Sequence, residues 1–238
     1  MFFLGQYDYW HQCQVSRPSY HQKSCQWCYS WNTNLDRCVN STHEDLILSP
    51  PTRWKFIRYS MFDGMSYNNV GNSWLGTLPD KLPRYQSRYV PTTSRIGLTS
   101  FDSHAKWPGK IGPIVNQAGF GASWAVSAVT TMADRLNICY NYSHRIELDW
   151  CKLTKNKCDY SNNCARKQRD AWTHLNQLGT TVIDCHFSNT CHLTFKTWYW
   201  LMSQNIEDIK NEIEAHGPVQ ARLKIYSDFL FYGSGVYR

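Results

Sequence analysis

Apolar and polar positions alternate unevenly along this chain, and the clearest period is helical. Over residues 124–138, Ala125, Ala128, Val129, Met132 and Leu136 recur at the spacing of one helix face. Ser123 stands immediately before that run, where a serine makes a good N-cap. A second helix is predicted from Arg169 to Leu178, with Ala171, Trp172 and Leu175 on one face and Gly179 as its stop. A third is predicted from Ile206 to Ala215 through Ile209 and Ile213, halted by Gly217-Pro218. Beyond it Val219, Ala221, Leu223 and Ile225 alternate with polar residues and predict a strand.

Upstream the periodicity fades. Residues 51–100 lack cysteine and carry Trp54, Phe56, Tyr59, Phe62, Tyr67 and Trp74 among Gly64, Gly71, Gly76, Pro79 and Pro83. Little regular structure is predicted there beyond a turn or two. Aromatics that frequent would be a liability if left in water, so the stretch reads as a segment laid on another domain. Residues 1–50 are polar and cysteine-rich, with turn residues at Asn32, Asn34 and Asp36, and end at Pro50-Pro51. The expected organisation is a disulfide module over 1–50, a linker-like stretch over 51–100 and a main domain over 101–238.

Composition sharpens this picture. Apolar residues are 42% of the 238, with 11 Trp and 15 Tyr, so a sizeable core is available. No apolar run approaches the ~18 residues of a membrane span. Met1-Phe-Phe-Leu falls short of the ~7 apolar residues of a signal-peptide core, so no signal peptide is visible. The ten cysteines nonetheless favour an oxidising compartment. They form one group of Cys13, Cys25, Cys28 and Cys38 and another of Cys139, Cys151, Cys158, Cys164, Cys185 and Cys191. Two even-numbered groups suggest two disulfide frameworks, with connectivity open. The rival reading is zinc, but only Cys25-Gln-Trp-Cys28 has ligand spacing and no second pair completes a site. Neither metal nor cofactor is expected. Asn40-Ser-Thr and Asn141-Tyr-Ser are glycosylation acceptors, in keeping with secretion. The net charge of +7 is spread along the chain without a basic run, which argues against nucleic acid; it fits acidic extracellular glycans, with ordinary solubility as the alternative.

The segment "PIVNQAGFGASWAVSAV", residues 113–129, resembles the nucleophile segment of papain-like cysteine peptidases. "LTSFDSHAKWP" ahead of it resembles the start of a mature cathepsin B, and "EIEAHGPVQARLKIYSDFLFYGSGVY" resembles the cathepsin B second lobe. Trp54 and "WLGTLP" resemble the cathepsin B prosegment. The nearer resemblance is to the tubulointerstitial nephritis antigen group, secreted cathepsin B-like proteins that also carry serine at the nucleophile position. "CQWCYSWNTNLDRCVN" resembles part of that group's cysteine-rich region. The resemblance implies an α+β, papain-like two-lobe fold. A helical left lobe and part of a β-rich right lobe would be present, truncated at the C-terminus. A prosegment-like stretch and a small disulfide module would precede them.

The resemblance places Ser123 at the nucleophile and Gln117 at the oxyanion position, although a loop glutamine pinning backbone accounts for Gln117 equally well. The family's thiol, with an ordinary pKa of ~8.5, is ionised by a helix N-terminus and an imidazolium partner. A hydroxyl is much harder to ionise and needs a general base within hydrogen-bond reach. The family's His and Asn lie ~130–150 residues beyond the nucleophile. Only residues 124–238 follow Ser123, so these partners are expected beyond the present C-terminus. None of His144, His174, His186, His192 and His216 has the family's setting. Phe120 stands where the family has a cysteine, which leaves Cys151 to another partner. Ala165, Arg166 and Lys167 stand where it has a Gly-Gly for close substrate approach, so the groove wall is altered.

The expected function is that of a secreted, catalytically inactive cathepsin B-like shell that binds extracellular-matrix or cell-surface proteins. The alternative is an active peptidase using Ser123 with a downstream His. A third reading, prompted by the end inside the second lobe, is a product that does not fold alone. Whether the stretch from Trp54 to Pro83 is removed, or stays and fills the cleft, is open at this level.

Overall fold

The computed structural model describes residues 53–57, 59–62, 74–80, 100–117, 119–155, 158, 164–183, 192–194, 196 and 206–237. It also describes the backbone of 29–32 and 37–40. Fifteen short elements result. The two N-terminal strands, β1 (Tyr29–Asn32) and β2 (Arg37–Asn40), pair as an antiparallel hairpin with Trp31 opposite Cys38. Cys13, Cys25, Cys28, Asn34 and Asp36 lie outside the described residues.

The main body is built on helix α2 (Ser123–Tyr140), which follows a short α1 (Ser103–Lys106). Trp124, Ala125, Ala128, Val129 and Met132 of α2 are almost fully buried, as their spacing predicts. They pack with Leu148, Trp150, Leu153 of α3 (Cys151–Thr154), and Ala171 and Leu175 of α4 (Gln168–Gln177). Gly179 ends α4 in the left-handed conformation, φ +67°, which glycine adopts without a Cβ penalty. Phe120 packs against this same core.

Polar side chains tie the body together. Asn137, fully buried, donates to the Ile146 carbonyl (3.0 Å) and accepts from the Ile146 N–H (2.9 Å). The indole of Trp124 donates to the Cys164 carbonyl at 2.7 Å, and Cys164 is disulfide-bonded to Cys158. Cys151 is also disulfide-bonded, whereas Cys139, expected in the same framework, carries a free, exposed thiol. Its place on the outer face of α2, next to exposed Tyr140, keeps it on the surface.

A second core lies away from α2. The strand β3 (Trp54–Phe56) pairs antiparallel with the C-terminal β8 (Tyr232–Gly235), and Trp54, Phe62, Leu230 and Phe231 form one buried cluster. A 3₁₀ turn at Ser60–Phe62 supplies Phe62, and another at Ser227–Phe231 supplies Leu230 and Phe231. Four further short strands form two pairs: β4 (Thr77–Leu78) runs parallel to β5 (Arg166–Lys167), and β6 (Thr180–Thr181) antiparallel to β7 (His192–Leu193).

Three expectations are corrected. Ser123 is the first helical residue and not the N-cap, which is Ala122. The Ser123 hydroxyl is engaged by Thr77 Oγ1 at 2.8 Å and does not cap the helix. Residues 219–225 are not a strand, since no described strand lies beside them to complete a ladder. The helix α5 (Ile206–His216) exists, but its fully buried side chain is Glu212, while Ile206 is 66% exposed. Glu212 accepts from Arg135 of α2 (2.6 Å) and pairs with His216 (3.1 Å), so α5 docks on α2 through charge where apolar packing was expected.

Asp134 is a second buried acid on α2. It accepts from the Gly112 N–H at 2.8 Å. Burial raises its pKa from 3.8 to about 6, opposed by the Gly112 hydrogen bond and by the charges of Arg145 and His104. The folded chain therefore binds this proton more tightly than the unfolded chain between those values. The associated stability is greatest at acid pH and is lost as pH rises through about 6. Asp134→Asn keeps the hydrogen-bond acceptor and removes the charge. We expect it to raise stability at pH 7 by on the order of 1–3 kcal/mol, with the gain shrinking toward pH 4. Thermal melts of both proteins across that range check this, and a gain independent of pH contradicts it.

Candidate active site and its groove

The site begins at the N-terminus of α2. The loop ahead of the helix passes through Gly119 and Gly121, with φ of +75° and +61°. These left-handed turns bring Gln117 and Ser123 to one side. First-turn N–H groups of an α-helix have no intrahelical partner, and the helix dipole adds partial positive charge there. Ser123 is half-buried at that end. Its carbonyl accepts from Ser127 Oγ, which in turn accepts from Gln220 Nε2 at 2.6 Å. Gln220 also donates to the Trp124 carbonyl (3.1 Å) and accepts from the Trp172 indole (2.6 Å). One glutamine thus braces the first turn of α2 against α4.

The groove in front of Ser123 is occupied by residues 74–80 of the same chain. Ser123 Oγ is 2.8 Å from Thr77 Oγ1, a hydrogen bond that either hydroxyl can donate. Gln117 Nε2 donates to the Trp74 carbonyl at 2.7 Å, while Gln117 Oε1 is buried without a partner. Gly76 is buried between these contacts, and its backbone lies directly on Gly121: a Cβ at position 76 would overlap the Gly121 carbonyl. The Arg166 N–H donates to the Gly76 carbonyl (3.0 Å), and β4 runs parallel to β5 with Thr77 opposite Arg166 and Leu78 opposite Lys167.

The side chains at Ala165, Arg166 and Lys167 therefore do not prevent strand pairing along this wall. The close approach that Gly76 permits is to Gly121, ahead of α2. At the far end Asp80 accepts from Arg169 of α4 at 3.0 Å.

The segment is held at both ends. Trp74 packs edge-on against Phe62 (5.4 Å between centroids), and Phe62 belongs to the aromatic core shared with β8. The Tyr59 hydroxyl donates to the Tyr232 carbonyl (2.9 Å), and the Ile57 N–H donates to the Phe231 carbonyl (2.7 Å).

Among the described residues no histidine hydrogen bonds to Ser123. His144 Nδ1 contacts Ser143, His192 contacts the Leu178 carbonyl and His216 contacts Glu212. His186 lies outside the described residues. No group of three or more His, Cys, Asp or Glu among the described residues is placed to hold a metal. No described helix is long and apolar enough to cross a membrane.

Asn141 is exposed in the left-handed C-cap of α2, φ +47°, and Tyr140 stacks on Tyr142 beside it. Asn40 ends β2, and its side chain lies outside the described residues. Thr77, Asp80 and Gln220 were not singled out from sequence. Each sits more than 40 residues from the group it contacts, and no local pattern marks it.

Residues 98–238 match the model of the papain family cysteine proteases. Cathepsin B-like CP2 of Giardia intestinalis is 27% identical over 160 residues, covering 58% of this chain and 53% of that protein. Human tubulointerstitial nephritis antigen is 27% identical over 229 residues, covering 78% of this chain and 47% of its own. The chain thus spans about half the length of these two relatives. Among solved structures, procathepsin B S9 from Trypanosoma congolense superposes with a TM-score of 0.63 at 20% identity, over 84% of this chain and 77% of that one.

If Gly76 seats the groove segment by its lack of a side chain, Gly76→Ala should unseat it. We expect the Arg166 amide to exchange with solvent at least about tenfold faster and stability to fall by about 1–3 kcal/mol. Hydrogen exchange and a thermal melt measure both. An unchanged Arg166 rate contradicts the assignment.

Proposed function

The chain belongs to the papain family of cysteine proteases, and from that premise we propose that it is a catalytically inactive, cathepsin B-like member that acts by binding. The observation that carries this reading is the 2.8 Å hydrogen bond between Ser123 and Thr77 in a groove filled by the chain itself. A thiol at this position becomes nucleophilic once a helix end and an imidazolium lower its pKa. The same helix end cannot ionise an alcohol, whose proton needs a base placed within ~3 Å. Thr77 is not such a base. It exchanges a hydrogen bond with Ser123 and takes up no proton.

The oxyanion machinery is engaged as well. Gln117 donates to the Trp74 carbonyl while Ser123 contacts Thr77, three residues further on. The two groups that would act together on one carbonyl are thus directed to different residues of the occupying segment. Replacing such a strand requires breaking its pairing with β5 and exposing Trp74 and Phe62 to water. The stretch resembling a prosegment is, on this reading, a permanent part of the molecule.

The reading extends to location. Disulfides at Cys151 and Cys158–Cys164 suit an oxidising compartment, and similarity to tubulointerstitial nephritis antigen supports an extracellular setting. Matrix or cell-surface proteins are the proposed partners, with acidic glycans attracted by the positive net charge.

We expect the full chain to show no turnover of fluorogenic peptide substrates that depends on Ser123, with Ser123→Ala matching the parent. Turnover lost in Ser123→Ala, or an acyl group found on Ser123 by mass spectrometry, overturns the inactive reading in favour of a serine-dependent peptidase. For location, Asn141 should carry an N-linked glycan when the chain passes through a secretory pathway. Peptide N-glycosidase should shift the parent protein by one glycan more than Asn141→Gln, and equal shifts contradict glycosylation at that site.

A further inference from the structure

Resting on the reading above, in which the segment in front of Ser123 is retained, we propose that Arg169 selects that occupant through Asp80, the acidic residue three positions after the Gly76-Thr77 pair. The argument starts from what the occupying strand must satisfy. Gly76 fits where a Cβ would meet the Gly121 carbonyl, so that position excludes every larger residue. Thr77 presents a hydroxyl to Ser123. Asp80 then reaches the end of the wall, where its side chain is only 7% exposed and one oxygen accepts from Arg169 at 3.0 Å. Its other oxygen, Oδ2, is buried and has no partner. Seating the strand thus removes a carboxylate from water with the Arg169 guanidinium as its observed counter-charge. Such an arrangement is maintained only where the guanidinium repays a large part of the desolvation.

A basic residue in place of Asp80 would lose the ion pair and meet the Arg169 guanidinium instead. Repulsion of the wrong ligand adds to attraction of the right one. Arg169 is 39% exposed, so its contribution is partly screened and falls with salt. Arg169 thereby acquires a role in choosing which segment lies in front of Ser123.

A trans peptide has to compete with a tethered strand whose effective concentration is on the order of millimolar, so the groove is first opened with Gly76→Ala in the full chain. Labelled peptides of residues 72–83, NSWLGTLPDKLP, are made in the parent form and with D80N or D80K, and binding is followed by anisotropy. We expect the parent peptide to bind best, D80N more weakly and D80K at least about tenfold more weakly. Arg169→Glu should reverse the order of the parent and D80K peptides, and salt should narrow the differences. Equal binding of all three peptides overturns the role of Arg169 and leaves the reading of a retained segment intact. A folded, opened chain that binds none of them overturns the role of Arg169 and the retention of the segment together.

Should Gly76→Ala not melt cooperatively, the unopened chain decides. Arg166 amide exchange should accelerate in Arg169→Glu and return toward the parent rate when Asp80→Lys is added. Failure of that restoration refutes the proposal.

Discussion

Everything distinctive about this molecule depends on a short strand pressed against the N-terminus of one helix. Gly76 lies on Gly121 with no room for a Cβ, and this contact brings Thr77 to Ser123 and the Trp74 carbonyl to Gln117. None of these interactions is strong alone. A neutral hydrogen bond nets about 1 kcal/mol. Their geometry is nonetheless mutually dependent, because each requires the backbone of 74–78 to remain at the distance that the missing side chain permits.

The aromatic core gives that strand its persistence. Trp54, Phe62, Leu230 and Phe231 bury one another, with two of the four contributed from each side of the contact between the groove segment's leader and the C-terminal residues. Removing a buried Trp or Phe side chain costs about 3–5 kcal/mol. A segment anchored in this way is an element of the core, and the C-terminal strand β8 has its described pairing partner in β3. Anchorage and occupation of the groove are physically one feature, since Trp74 joins them through Phe62 on one side and Gln117 on the other.

Local order was legible where short-range physics decides it. The α2 face follows from spacing, and Gly179 stops α4 because glycine tolerates the left-handed turn there. The glycine loop was readable as the approach to the N-terminus of α2. Reading failed where a distant partner sets the outcome. The alternation at 219–225 looked like a strand, but alternation supplies no neighbour to bond with. The isoleucines of α5 suggested an apolar face, yet Glu212 takes the buried place because Arg135 meets it there. Asp80 and Gln220 acquire their meaning only from Arg169 and from the first turn of α2.

By itself, then, the sequence determined the family, the principal helices and the presence of an alcohol where α2 begins. These are properties of contiguous residues: periodicity, turn chemistry and the identity of one atom. Tertiary structure alone decided what that alcohol faces. Residues 74–80 and 123 are separated by more than 40 positions. Their contact arises from packing of a glycine against a carbonyl and of one aromatic cluster against another, and neither is encoded in any single stretch of chain.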